Sequence, residues 1–161
     1  MTSLTLVRRI AARPSIVFEA MTTAEGVAAW FGPDELPVVR AEMDARVGGA
    51  YRVHFRTLDG RDGHDHEASG EFLELVPPRR IVMSWSWVIG GVPEERGRTS
   101  RIEIDLTPIG DGTELTFTHT ALASEASEES HKWGWTGALG KLVRHVENTA
   151  VCDGAGPMEK K

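Results

Sequence analysis

The stretch ELTFTHT, Glu114 to Thr120, followed shortly by HKWGWTGALGKLVRHV, His131 to Val146, decides the fold. In the first segment Leu115, Phe117 and His119 alternate with Glu114, Thr116 and Thr118, the period of a strand with one covered face. In the second, His131, Trp135, Ala138, Leu139, Leu142 and Val146 fall on one helical stripe. The change of period predicts the last strand of a sheet and then a helix over about residues 127 to 149, about 33 Å long at 1.5 Å per residue. Glu125, Glu128 and Glu129 near its start and Lys141, Arg144 and His145 towards its end suit the helix dipole. Gly134, Gly137 and Gly140 each cost about 1 kcal/mol relative to Ala in a helix interior, so packing has to hold this helix.

Working back along the chain, Ile102, Ile104 and Leu106 alternate with Arg101, Glu103 and Asp105. Tyr51, Val53 and Phe55 alternate with Arg52, His54 and Arg56 in the same way, and Trp85 and Trp87 share a face with Ile81 and Met83. Turn signals separate these runs: Gly48-Gly49, Asp59-Gly60, Asp62-Gly63, Pro77-Pro78, Gly90-Gly91-Val92-Pro93 and Asp111-Gly112. Such short connections imply an antiparallel meander of about six strands between Pro37 and Thr120. Phe72, Leu73, Leu75 and Val76 are apolar on both parities, and a β-bulge is one way to place them. Leu4 to Ile10 supplies a further strand. Pro14 then opens a helix carrying Val17, Phe18, Ala20 and Met21, and a second helix, Ala24 to Trp30, stops at Phe31-Gly32-Pro33. The fold class expected is α+β: a curved antiparallel sheet of six to seven strands wrapped around a long C-terminal helix, with two short helices after strand one. Residues 1–150 form a single domain on this reading and 151–161 a flexible tail.

At 161 residues the chain has the size of one domain that can bury a core without disulfides. Its 18 Lys and Arg against 24 Asp and Glu give a net charge of −6, opposite to what a phosphate-binding surface requires, so nucleic acid and anionic membrane are not expected partners. No apolar run reaches the roughly 20 residues of a membrane span, and MTSLTLVRR lacks the apolar core of a signal peptide, which predicts a cytoplasmic protein. Cys152 is the single cysteine and lies in a Gly-rich tail, which excludes a disulfide framework and a thiolate metal cluster. His64-Asp65-His66-Glu67 has metal-ligand types but reads as a polar loop after two Asp-Gly turns, and the Glu128-x-x-His131 spacing lacks the second copy that a diiron site uses. Asp111-Gly112 reads as a hairpin turn and not a phosphate loop. No metal and no cofactor is expected, and no nucleophile–base motif compels an enzyme.

The order strand, two short helices, six strands, long helix resembles the helix-grip fold of the START-like (SRPBCC, Bet v 1-like) superfamily. Within it the chain is similar to the activator of Hsp90 ATPase homologue 1-like (AHSA1) family. The residues that carry the resemblance are Arg8 to Pro14 with Val17-Phe18-Glu19-Ala20, then Ala29 to Pro33, Gly48 to Arg52, Gly70 to Glu74, Pro77 to Ile81, Trp85-Ser86-Trp87, His119, and Gly134-Trp135 with Leu139 and Leu142. They extend over about residues 4 to 148. The resemblance implies a hollow between helix and sheet in which some relatives bind lipids, hormones or polyketides and some catalyse reactions, while the namesake binds the chaperone Hsp90.

Sheet parity and helix stripe name the side chains that would line such a hollow. They are Tyr51, Val53, Phe55, Met83, Trp85, Trp87, Phe117, His119, His131, Trp135 and Leu139, with Trp30 and Phe31 at the closed end. Each of them also serves as plain core. His119 and His131 are in phase with apolar sets, so each either finds a partner inside the protein or faces a ligand. Arg8 is in phase with Leu4, Leu6 and Ile10 and either faces inward, towards an acidic ligand, or reaches water at the strand end. Trp133 falls on the opposite side of the helix with Gly137, Gly140, Arg144 and Glu147, where it marks a homodimer or partner surface or packs on its own loops. The expected function is binding of a small, largely apolar or amphipathic molecule. The alternatives are a cyclase, lyase or hydrolase acting in the same cavity, or a chaperone-linked interaction module.

Overall fold

The computed structural model describes residues 2–31, 38–59, 62–90, 92 and 95–154. Strand β1 (Thr2–Ile10) leads into α1 (Pro14–Thr22) and α2 (Ala24–Trp30). There follow β2 (Val38–Met43), β3 (Ala50–Asp59), β4 (Asp62–Val76), β5 (Arg80–Ile89), β6 (Ser100–Ile109) and β7 (Gly112–Leu122), and α3 (Glu125–Gly154) closes the order. All seven strands form one antiparallel sheet in the order β1-β7-β6-β5-β4-β3-β2, a meander whose first strand returns to pair with the last. Helix α3 packs on β1, α1 and α2, while α2 packs on β2, so the helical layer spans the sheet from edge to edge. This is the expected α+β helix grip.

Each element forms for a local reason. Pro14 opens α1 at the position where its missing N–H costs nothing, and the Thr23 side chain accepts from Gly26 N to cap α2. The Ser124 hydroxyl accepts from Ser127 N and caps α3 in the same way. Every member of the predicted α3 stripe is buried, from His131 and Trp135 to Leu142 and Val146. The helix extends to Gly154, beyond the expected end, so residues 151–154 are helical. The expected helix stop at Gly32-Pro33, the turn residues Gly60, Gly91 and Pro93, the side chain of Cys152 and the tail from 155 onwards lie outside the described residues.

Strand β4 corrects the sequence reading. His64 to Glu67, expected in a loop, are strand residues that pair with Thr57 to His54 of β3. Charged and polar side chains on alternate positions of a long hairpin look like a loop when turn residues flank them. The ambiguous apolar run resolves as a bulge: the β4–β5 register shifts between Phe72 and Glu74, so Phe72 is fully buried while Leu73 turns outward. Close approach of β4 and β5 requires a glycine, since a Cβ on Gly70 would lie 2.1 Å from the Ser84 carbonyl oxygen. That carbonyl accepts the hydroxyl of Tyr51, reaching over from β3. On the outer face Arg80 joins three strands, bonding Asp105 at 2.8 Å and Glu103 at 3.1 Å and approaching Glu74 at 3.4 Å.

Candidate functional site

Where α3 crosses the sheet the core is aromatic. Phe31, just beyond the end of α2, has its ring 5.5 Å from Trp30, 5.7 Å from Phe55, 5.8 Å from Trp85 and 5.6 Å from Trp135. Trp85 and Trp135 lie 5.0 Å apart, and the ring of Phe117 packs at a tilt on Trp135 at 4.5 Å. These tilted and edge-on contacts add to the burial of the rings.

Inside this cluster is a void of about 20 Å³. Eight of the predicted residues line it: Trp30, Phe31, Tyr51, Val53, Met83, Trp85, Phe117 and Trp135. Sequence reasoning missed the rest of the wall, Met21, Val27, Met43, Ile102 and Ile104. Ile102 and Ile104 carried the parity signal, and Met21 lay on the apolar side of α1. Three of the chain's five methionines thus border one void.

The other predicted residues stand elsewhere. Leu139 is fully buried in the core but does not line the void. Phe55 and Trp87 form the next layer, with their rings 6.1 Å apart, and His66 stacks on Phe55 at 5.4 Å, a partner the loop reading of β4 concealed. Arg8 is half-buried and its Nη1 donates to Val7 O at 2.8 Å, outside the cluster. Trp133 is 72% exposed. Glu147, expected beside it on the outer side, accepts from Ala11 N at 2.9 Å and ties α3 to the end of β1.

The two histidines are paired inside the protein. Trp135 Nε1 donates to His119 Nδ1 at 3.1 Å, and Trp87 Nε1 donates to His131 Nε2 at 3.1 Å. An indole N–H only donates, so the accepting nitrogens carry no proton. His119 therefore holds its proton on Nε2 and gives it to Ser100 Oγ at 2.7 Å, while His131 holds its proton on Nδ1 and gives it to Ser127 O at 2.8 Å. The two bonds run in opposite senses between helix and sheet, and the imidazoles meet edge to face at 4.8 Å. Burial pushes the His119 pKa well below the ordinary imidazole value, with His131 as a second cause. Burial also lowers His131, against the opposing pull of its bond to Ser127 and the charge of Glu95.

Glu95, buried in the β5–β6 connection, accepts from Ala123 N at 2.7 Å and from the Ser127 hydroxyl. Nothing in the local sequence marks this carboxylate, because its partners lie some thirty residues further on. Among the described residues no three His, Cys, Asp or Glu converge as a metal site. No helix among the described residues is long and apolar enough to cross a membrane.

The family model described as activator of Hsp90 ATPase homolog 1-like protein matches residues 11–147. A solved protein from Chromobacterium violaceum is similar at 29% identity, covering 91% of this chain and 99% of that one, with a TM-score of 0.76. The AHSA1 protein of Silicibacter pomeroyi gives 24% identity, 92% and 99% coverage and a TM-score of 0.77. An AHSA1-like protein from Aeromonas hydrophila gives 20%, 92% and 94%, and 0.70. No curated protein sequence matches the chain.

Proposed function

We propose that this chain, which belongs to the activator of Hsp90 ATPase homolog 1-like family, binds a small apolar molecule in the space between α3 and the sheet. The observation that carries the reading is the void of about 20 Å³ with Met21, Met43 and Met83 in its wall. As it stands the void holds no more than about one water, so a ligand enters by moving side chains aside. Methionine is the residue suited to that, being unbranched and adaptable in packing. A ligand then selects an expanded arrangement that the free protein populates sparsely.

The imidazoles do not favour the enzymatic alternative. A general base needs a free lone pair, and in both rings the unprotonated nitrogen already accepts from an indole. Ser100 receives a proton from His119 and is not deprotonated by it. The test is titration with N-phenyl-1-naphthylamine, an apolar fluorescent probe, against the native protein and the void-filling variants Val53→Phe and Ile104→Phe. The expected outcome is saturable binding to the native chain that weakens about tenfold or more in the filled variants. Equal binding by all three would place the probe on the surface and defeat the reading.

A second reading, a chaperone-linked interaction module, is favoured by the exposed indole of Trp133. It requires that Trp133→Ala abolish retention of the protein on immobilised Hsp90 while leaving its thermal stability unchanged.

A further inference from the structure

We infer that the occupant of the void is an uncharged molecule with one hydrogen-bond acceptor, a ketone or similar carbonyl compound, and that the indole N–H of Trp85 binds that acceptor. This assignment rests on the ligand-binding reading above and names the class of ligand it takes.

Four side chains in the wall carry a polar hydrogen: Trp30, Tyr51, Trp85 and Trp135. Three of them are committed to the protein. Trp30 Nε1 donates to Ala20 O at 2.8 Å, Trp135 Nε1 to His119 Nδ1 at 3.1 Å, and the Tyr51 hydroxyl to Ser84 O. Trp85 is 3% exposed, and its Nε1 has no hydrogen-bond partner. A buried donor left unpaired is destabilising, and native structures rarely keep one without a use. Water is a poor answer here, because a buried water needs two to four polar partners and this wall offers one uncommitted donor.

The same inventory selects the charge of the ligand. None of the lining residues is a Lys, Arg, Asp or Glu, so neither an anion nor a cation finds a counter-charge. The expected roles of His119 and His131 towards a ligand, and of Arg8 towards an acidic one, are replaced by a neutral contact: both imidazoles are occupied, and Arg8 donates to Val7 O outside the wall. Trp85 is also held in place, with its ring 5.8 Å from Phe31, 5.2 Å from Trp87 and 5.0 Å from Trp135. A donor fixed in this way discriminates by the presence of an acceptor more than by ligand size.

Three molecules of nearly the same shape separate the possibilities: acetophenone, its hydrocarbon isostere α-methylstyrene, and benzoate. Each is titrated into native protein labelled with 15N at tryptophan, with the Trp85 indole signal assigned from Trp85→Phe. Acetophenone should bind about tenfold more tightly than α-methylstyrene, the ratio expected for one hydrogen bond to an otherwise unpaired donor. It alone should move the Trp85 indole proton downfield, benzoate should bind most weakly, and the preference for the ketone should vanish in Trp85→Phe. Equal affinities for the ketone and the hydrocarbon, with the Trp85 signal unmoved, would overturn the carbonyl assignment while leaving the binding reading intact. Tightest binding by benzoate would overturn the requirement for a neutral ligand. Failure of all three to bind would overturn both readings. Should Trp85→Phe not fold, its signal is assigned by elimination from the other tryptophan variants, and the native affinity ratio and indole shift decide.

Discussion

Trp135 joins three functions in one side chain: its ring fills the space against Phe117 and Trp85, it meets Phe31 edge to face, and its N–H fixes the tautomer of His119. Removing all of this by Trp135→Ala should cost about 3–5 kcal/mol, the range for truncating a large aromatic in a core. Trp133, two residues earlier, is 72% exposed, and Trp133→Ala should stay within about 0.5 kcal/mol. Urea melts of the two variants check the phase of α3 directly, because equal losses would mean that the helix presents another face. The tautomers make a separate prediction at this scale. Long-range 15N–1H spectra at neutral pH should show His119 protonated on Nε2 and His131 protonated on Nδ1. The same tautomer in both rings would show that one of the two indole bonds does not form.

At the scale of the element, α3 carries more glycine than a helix favours and compensates with its cap and its buried stripe. Ser124→Ala removes the acceptor for Ser127 N and should cost about 1 kcal/mol. Gly134 is open to improvement, since a Cβ there meets nothing within 4 Å, and Gly134→Ala should raise stability by about 1 kcal/mol in thermal melts. A loss instead would mean that the helix backbone at Gly134 approaches a neighbour more closely than the geometry allows. The phase of α3 was legible in the sequence because helical burial repeats locally, and the faces of β3, β5, β6 and β7 were legible because alternation does too. Strand β4 was not, since His64 to Glu67 pair with β3 while presenting a loop-like composition. The site was legible only as a set of inward positions. That His119 and His131 meet indoles, that Glu95 reaches Ala123 and Ser127, and that Trp85 alone lacks an acceptor in the wall all depend on contacts between distant segments. Periodicity reports which way a side chain points and carries no information about what stands opposite.

The whole molecule should be sensitive to mild acid because it buries two neutral imidazoles. Protonating either ring places a proton on the nitrogen that accepts from Trp87 or Trp135, so the latch between α3 and the sheet has to break. Both folded-state pKa values are depressed, chiefly by burial, while the unfolded chain titrates at the ordinary imidazole value of about 6.5. The unfolded state therefore takes up protons first as the pH falls. Stability is at its full value above pH about 6.5 and is lost below it, continuing until each folded pKa is passed, at up to about 1.4 kcal/mol per pH unit for each ring. His119 should contribute over the wider range, because it is the more deeply buried of the two and the charge of Glu95 favours the charged form of His131. Asp65 is lowered by Arg56 and His54, and Glu103 by Arg101 and Arg80, so these carboxylates lose stability only as the pH falls below their unfolded range near 4. The histidine effect thus sets in at a higher pH than the carboxylate effect. Urea unfolding between pH 7.5 and 5 should show a falling free energy of unfolding with an onset near pH 6.5. His119→Gln, less stable at neutral pH, should show a visibly shallower fall over the same interval. A native curve flat down to pH 5 would mean that the imidazoles are charged or solvated in the folded protein, and the reciprocal indole–imidazole latch would have to be abandoned.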